Sequence, residues 1–197
     1  MEDAHDNTFL DVTEFQKIFG HDPGKDKYLL KLAVVGYPGT GKSSFIKKFC
    51  DQVFPTEHIP SINTEITSEV IRVSSSVIIE VFLYEVAGQT QYIDLKKLFV
   101  SGIQGVIIMF GHHYPYTFEK VPYLVSFIDK YLMTKVPKLL VGNYFEGHEN
   151  IIPWQQAADL AKRLDIDFVQ IDVKRHPRNV DKCIGYFISK LMPEVNI

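Results

Sequence analysis

The sequence has little of what would mark a secreted, membrane-spanning or nucleic-acid-binding chain. It carries two cysteines, Cys50 and Cys183, too few for a disulfide framework or a cysteine-built metal site, and a reduced cytoplasmic setting is expected. No apolar run is long enough to span a bilayer, and the acidic start from Met1 to Asp6 is not a signal peptide. Basic residues do not exceed acidic ones, at 21 Lys and Arg against 24 Asp and Glu. The resulting net charge of −3 argues against nucleic acid as a general partner. Lipid signals are missing too. Glu2 excludes amino-terminal myristoylation, and Pro193-Glu194-Val195-Asn196-Ile197 offers no cysteine to prenylate, so no direct membrane anchor is expected. Internal repeats, low-complexity tracts and a nucleophile elbow for acyl transfer are also lacking. What remains is ordinary: 197 residues, 46% hydrophobic and 23% charged, enough for one domain with a sizeable core.

The strongest pattern present is Gly36-Tyr37-Pro38-Gly39-Thr40-Gly41-Lys42-Ser43, directly after the apolar run Leu29 to Val35. A glycine, four residues and then Gly-Lys-Ser, between a strand and an amphipathic segment, is the phosphate-binding P-loop pattern. Its glycines allow backbone N–H groups to close around phosphate oxygens without a Cβ in the way. Lys42 adds a cation, the Ser43 hydroxyl can ligate Mg²⁺, and a helix N-terminus favours negative charge. Gly36, Pro38, Gly39, Thr40, Gly41, Lys42, Ser43 and Ser44 are therefore the expected phosphate contacts. A nucleoside phosphate is the expected ligand.

Residues 1–28 read as an extension, with a short helix over Thr8 to Phe19 that docks on the domain or on a partner, and residues 29–197 read as the domain itself. Strand-like runs fall at Leu30–Val35, Glu65–Val73, Val77–Glu85, Gly105–Phe110, Lys138–Val141 and Phe168–Ile171. Helix-like runs fall at Lys42–Asp51, Tyr92–Ser101, Phe118–Leu132, Trp154–Leu164 and Asn179–Leu191. Ser74-Ser75-Ser76 is too short for a crossover, so the second and third strands should form an antiparallel hairpin. The expectation is an α/β fold with a six-stranded, mostly parallel sheet and helices on both faces. The adjacent His112 and His113 are expected to be solvent-exposed on a loop.

Taken together, residues 30 to 192 resemble a small GTPase of the Ras superfamily, in its Rab-like cast. Phe54-Pro55-Thr56-Glu57-His58-Ile59-Pro60-Ser61 resembles the first switch segment. The resemblance implies that Phe54 packs edge-on against guanine and that Ser61 closes on Mg²⁺ and the γ-phosphate, with Thr56 and Thr64 as rivals for the metal role if the loop has shifted register. Glu85-Val86-Ala87-Gly88-Gln89 resembles the second switch. There Gly88 would offer its N–H to the γ-phosphate, Gln89 would orient the attacking water, and Glu85 would hold Mg²⁺ through water. Asn143-Tyr144-Phe145-Glu146 stands at the base-reading motif Asn-Lys-x-Asp, and Asp172-Val173-Lys174 at the Ser-Ala-Lys loop. Asn143, Tyr144, Glu146, Val173 and Lys174 are thus the implied base contacts, with a backbone N–H at Val173 reaching the guanine O6. Ile66, Tyr84 and Phe99 correspond to the apolar patch with which Rab proteins meet effectors; the alternative for some of them is plain burial in the core.

The implied activity is a GTP/GDP switch with Mg²⁺, hydrolysing GTP slowly with Gln89 and Lys42 as the catalytic groups. Effector and regulatory proteins are the implied partners, met by a monomer or a subunit of a complex. Likeness to non-lipidated Rab-like proteins points to a cytoplasmic location, with ciliary or flagellar transport reached through a partner. Three departures favour an alternative, a pseudo-GTPase scaffold: Glu85 for aspartate, Tyr144 for lysine and Glu146 for aspartate. A P-loop nucleoside or nucleotide kinase is disfavoured, because no obvious Arg-rich lid is present and Val86-Ala87-Gly88-Gln89 fits a GTPase better.

Overall fold

One strand buried on both faces organises the whole domain. The computed structural model describes residues 16–17, 26–50, 65–86, 102–132, 135–145, 147–149, 151–176 and 178–193. Strand β1 is Gln16–Lys17 and strand β2 is Asp26–Gly36. Helix α1 (Lys42–Phe49) follows, then β3 (Glu65–Arg72), β4 (Val77–Glu85) and β5 (Gly105–Gly111). The helices α2 (Pro115–Glu119) and α3 (Val121–Tyr131) come next. The chain closes with β6 (Lys138–Asn143), α4 (Trp154–Arg163), β7 (Asp167–Ile171) and α5 (Arg178–Leu191).

Successive side chains of a strand point to opposite faces, so β2 feeds two cores at once. Leu30, Leu32 and Val34 pack with Phe45 and Phe49 of α1 and with Ile184 and Phe187 of α5. Ala33 and Val35 pack on the other face with Phe118 of α2, Leu124 and Ile128 of α3, and Leu160 of α4. Helices therefore cover both faces of the sheet. Near-continuous apolar runs such as Gly105–Gly111, buried at every position, are what a parallel strand covered on both sides requires.

The strand order is β1-β3-β4-β2-β5-β6-β7. Strands β4, β2, β5, β6 and β7 run parallel to one another, and β3 lies antiparallel to β4. The hairpin turn is closed by Val73 and Ser74, whose N–H groups both donate to Val77 O at 3.1 and 3.3 Å. The six-stranded mixed sheet expected from the sequence is thus present, and β1 adds a two-residue seventh strand beside β3. Gln16 and Lys17 fall inside the run read as a helix, yet they are extended. An edge strand presents unpaired N–H and C=O groups, and here β3 takes a partner for them. The rest of that run lies outside the described residues, as does the expected helix Tyr92–Ser101.

Two boundaries moved for identifiable reasons. Strand β2 begins at Asp26, because Asp26 to Leu29 pair with Val77 to Glu80 of β4, and Lys27 meets Glu80 at 2.8 Å. Those residues are exposed, so no apolar pattern announced them. The single helix expected over Phe118–Leu132 is two, divided at Lys120. Pro122 sits in the first turn of α3, where its missing N–H costs nothing, but it cannot continue the bonding of α2. No helix among the described residues is long and apolar enough to cross a membrane.

Gly105 opens β5 under the carboxyl end of α5. A Cβ there would lie 2.8 Å from Phe187 Cε1 and 2.9 Å from both Leu191 Cδ1 and Leu32 Cδ2. Gly105→Val is therefore expected to destabilise the fold by about 1–3 kcal/mol through overpacking. Urea unfolding checks this, and an unchanged midpoint would mean that α5 yields freely.

Candidate nucleotide-binding site

In a sheet whose strand order turns back on itself, ligands bind beyond the carboxyl ends of the strands, at the point of reversal. Here that point is β2, with β4 on one side and β5 on the other. Gly36 ends β2 opposite Met109 of β5, and residues 37–41 loop over this end before α1 begins. The close approach is what demands glycine at position 36: a Cβ would lie 2.5 Å from the Met109 carbonyl oxygen. Gly41, the residue before α1, adopts a φ of 91°, in the left-handed region that disfavours side chains. A Cβ at Gly41 would also collide with Asn143 Nδ2 and stand 3.3 Å from Phe145 Cζ.

Inside the loop, Thr40 is buried and its hydroxyl donates to Tyr37 O at 2.9 Å. Lys42 is buried as well, and its Nζ donates to Gly36 O at 2.9 Å and to Tyr37 O at 3.3 Å. Burial pushes the Lys42 ammonium below its ordinary range, while the Glu85 carboxylate pulls it back up. Pro38 and Gly39 are exposed at the crest. Ser44 lies in the first turn of α1.

Glu85 ends β4 as a buried carboxylate, and Ser43 Oγ donates to its Oε1 at 2.6 Å. The extra methylene of glutamate thus spans the gap to the P-loop serine directly. A hydroxyl and a carboxylate converging beside a buried ammonium are hard oxygen donors of the kind that Mg²⁺ takes. The residues present fit that ion.

At the far end of the site, Asn143 closes β6 and is buried. Its Nδ2 donates to Thr40 O at 3.2 Å, and its Oδ1 accepts from Val173 N at 3.3 Å. One amide therefore fastens the P-loop to the loop after β7. That loop is closed by Asp172, whose Oδ1 accepts from Lys174 N at 3.0 Å and from Arg175 N at 2.9 Å.

Two side chains beside the site are fixed by each other. Tyr144, an implied base contact, is the first of them. Its ring stacks on His112, with centroids 4.2 Å apart and planes 12° from parallel, and its hydroxyl engages Gln170. Extended backbone at the end of β6 alternates its side chains, so Phe145 is the aromatic that approaches Gly41, beside His113 at 4.3 Å. His112, expected to be exposed, is fully buried. Its Nδ1 lies 2.7 Å from Ile152 O, its backbone carbonyl accepts from Ile152 N, and a Cβ on Gly142 would meet its Nε2 at 2.5 Å. The only sequence signal for that burial was the glycine at position 142, which leaves the room.

Of the expected effector patch, Ile66 is 59% exposed, whereas Tyr84, opposite it in the hairpin, is 9% exposed and packs with Ala33 and Val35. Directly opposed residues share a face, so the difference is one of place: Tyr84 is on a strand inside the sheet, whereas Ile66 is on β3 beyond the reach of β1. Phe54, Thr56, Ser61, Thr64, Gly88, Gln89, Phe99 and Glu146 lie outside the described residues.

With this geometry in place, comparison with known proteins adds the lineage. The Ras family model matches residues 31–192. The chain belongs to the Ras family. Among curated proteins it is similar to the Ras-related protein RABD2a of Arabidopsis thaliana, 29% identical over 148 residues, covering 75% of this chain and 72% of that one. It is also similar to the Ras-related protein Rab-1 of Theileria parva, 24% identical over 170 residues, 85% of this chain and 76% of the relative. The Ras-related protein Rab-1D of Dictyostelium discoideum is 27% identical over 163 residues, 82% of this chain and 78% of its own length. The family member at hand is thus a Rab-like small GTPase, as its switch-like segments implied.

His112 gives the site a pH signature. Burial, opposed by the bond to the Ile152 carbonyl and joined by neighbouring His113, lowers its pKa to about 4. The unfolded chain, with an ordinary value near 6.5, takes the proton first. Stability is therefore complete above about pH 6.5 and is lost as pH falls toward 4, by about 2 kcal/mol between pH 7 and pH 5 for this group. His112→Leu should remove that share of the slope in urea titrations at the two pH values; an identical slope would show that His112 binds its proton equally well in the folded and unfolded chain.

Proposed function

We propose that this chain is a guanine-nucleotide switch, binding GTP and GDP with Mg²⁺ and hydrolysing GTP slowly. The observation that carries the reading is the Asn143 amide holding a P-loop at the sheet's reversal point, with buried Lys42 in that loop. Family membership supports guanine nucleotide and Mg²⁺ as ligands, and effector and regulatory proteins as partners.

In this reading, backbone N–H groups of residues 39–44 and the Lys42 ammonium take the phosphates. The Ser43 hydroxyl, Ser61 and Glu85 hold the ion, and Ser43 and Glu85 already lie within hydrogen-bonding reach of each other. When bound, Mg²⁺ supplies charge neutralisation at the phosphates. Asn143 has a second N–H available to a purine N7, and Glu146 would pair with the guanine N–H groups. Ser61 and Gly88 would be drawn in by the γ-phosphate and released after hydrolysis, and Gln89 would orient the water. The output is a difference in affinity for effectors, with Ile66 on the docking surface. Transport inside the cell is the proposed process, and a ciliary setting is part of the proposal on family analogy alone.

Calorimetric titration of nucleotide-stripped protein with GTP, GDP and ATP, each with Mg²⁺, tests the ligand. Tight binding of GTP and GDP with ATP ignored is expected. Failure of all three would leave the scaffold reading standing. The chemistry has its own check. Gln89→Leu should abolish partner-stimulated GTP hydrolysis, taking the rate back toward about 10⁻⁴ per second, while GTP affinity is retained. Unaltered stimulated turnover in that variant would remove Gln89 from the mechanism.

A further inference from the structure

Two aromatic residues follow Asn143, and strand parity sends their rings opposite ways. Tyr144 is spent on His112, its ring stacked at 4.2 Å. Phe145 returns to the side of Asn143. A Cβ on Gly41 would collide with Asn143 Nδ2 and stand 3.3 Å from Phe145 Cζ, so both side chains reach the residue before α1. Two imidazoles buttress the Phe145 ring. The His113 centroid lies 4.3 Å from it at 56° and that of His148 6.5 Å at 90°, with 4.8 Å between the two imidazoles. Burial, joined by the charge of His148, holds the pKa of His113 below its ordinary value, so near neutral pH its contact with Phe145 is between uncharged rings. Phe145 is only half-buried, and among the described residues neither hydrophobic cluster on the faces of the sheet includes it. A large apolar ring outside both cores, fixed beside the phosphate loop, is placed to meet a flat ligand.

We propose that Phe145 is the side chain against which the base of a bound nucleotide stacks. The proposal rests on the nucleotide-switch reading and adds a binding residue to it. Asn143 fixes where the base lies, because its second N–H is available to a purine N7. Asn143 and Phe145 meet at Gly41, so a base held by that N–H lies within reach of the ring. Every base has a π-face, and a stack of this kind therefore adds affinity without preference among bases. Choice between guanine and adenine is left to the groups that meet the edge of the base. His113 and His148 serve the stack indirectly, by holding the Phe145 ring in one orientation.

Calorimetric titration of the nucleotide-stripped full chain with GDP and Mg²⁺ tests the stack. Phe145→Leu keeps apolar bulk beside Gly41 but has no π-face, and should weaken GDP binding by about tenfold. Phe145→Tyr keeps the ring and should stay within about threefold of the unmodified chain. Inosine diphosphate keeps the purine face and lacks only the 2-amino group, so Phe145→Leu should weaken it by the same factor. Fluorescence separates stacking from support of the loop. In a Trp154→Phe background, Phe145→Trp carries the one indole of the chain, and saturating GDP should quench its emission. Circular dichroism melting checks that each variant is folded, and if the larger indole bars GDP the Leu and Tyr titrations decide. Full GDP affinity in Phe145→Leu, or an indole emission untouched by bound GDP, overturns the stack and leaves the switch reading intact. A loss for GDP that inosine diphosphate does not share also overturns it, because Phe145 would then act at the edge of the base. Absence of GDP binding by the unmodified chain overturns both.

Discussion

One buried amide holds the site in register. Asn143 spans from the P-loop carbonyl of Thr40 to the backbone N–H of Val173, with its own strand between them. It needs an acceptor at one end and a donor at the other, and among side chains of its size only an amide supplies both. An aspartate there would set a carboxylate against the Thr40 carbonyl, and a leucine would strand two buried backbone groups. The constraint propagates outward. Because the amide lies against the loop, Gly41 has no room for a Cβ, and because Gly41 takes a left-handed φ, α1 can start where its N-terminus faces the strand ends.

A second set of restraints follows from the glutamate at position 85. Its length lets the carboxylate reach Ser43 directly, and the same charge raises the pKa of the buried Lys42 against the pull of desolvation. The ammonium, the hydroxyl and the carboxylate thus form one electrostatic unit at the mouth of the P-loop. Substituting glutamate for aspartate changes how the ion-binding corner is wired while conserving its charge. Nearby, the residue after Asn143 has been recruited into packing. Tyr144 stacks on His112, and His112 is fixed through Ile152, so the base loop leans on an aromatic layer where the family pattern has a lysine.

Much of this was legible because the sheet is covered on both faces. Buried parallel strands read as apolar runs, and the six predicted strands appear with ends displaced by a few residues, the largest shift being the exposed start of β2 at Asp26. The P-loop was legible for a different reason: its glycines answer to local contacts, as Gly36 against Met109 O and Gly41 against Asn143 show. What escaped was side-chain direction. Tyr84, Tyr144 and His112 were each placed in the right element, but which way each ring turns depends on strand parity and on a neighbour far away in sequence. Ile152, forty residues from His112, holds its ring through Nδ1, and between them only Gly142 hints at the burial. Ser61, Gly88, Gln89 and Glu146 fall outside the described residues, so the parts of the reading that concern the switches stand on the family pattern.

The described half of the site is built to stay still. Its backbone groups close on one another: Thr40 on Tyr37, Asn143 on both flanking loops, Lys174 and Arg175 on Asp172. A loop that satisfies its own donors gains rigidity. That suits the phosphate end poorly and the base end well. Phosphates need donors aimed outward, and the N-terminal groups of α1 are oriented for that by the helix itself. A base needs a slot of fixed width, which restraint supplies. In the proposed switch the phosphates would be gripped at the N-terminus of α1, and the base would be held by the slot that the Asn143 amide braces. The tightness of binding and the choice of base would then be set by different residues, and each could drift without carrying the other along.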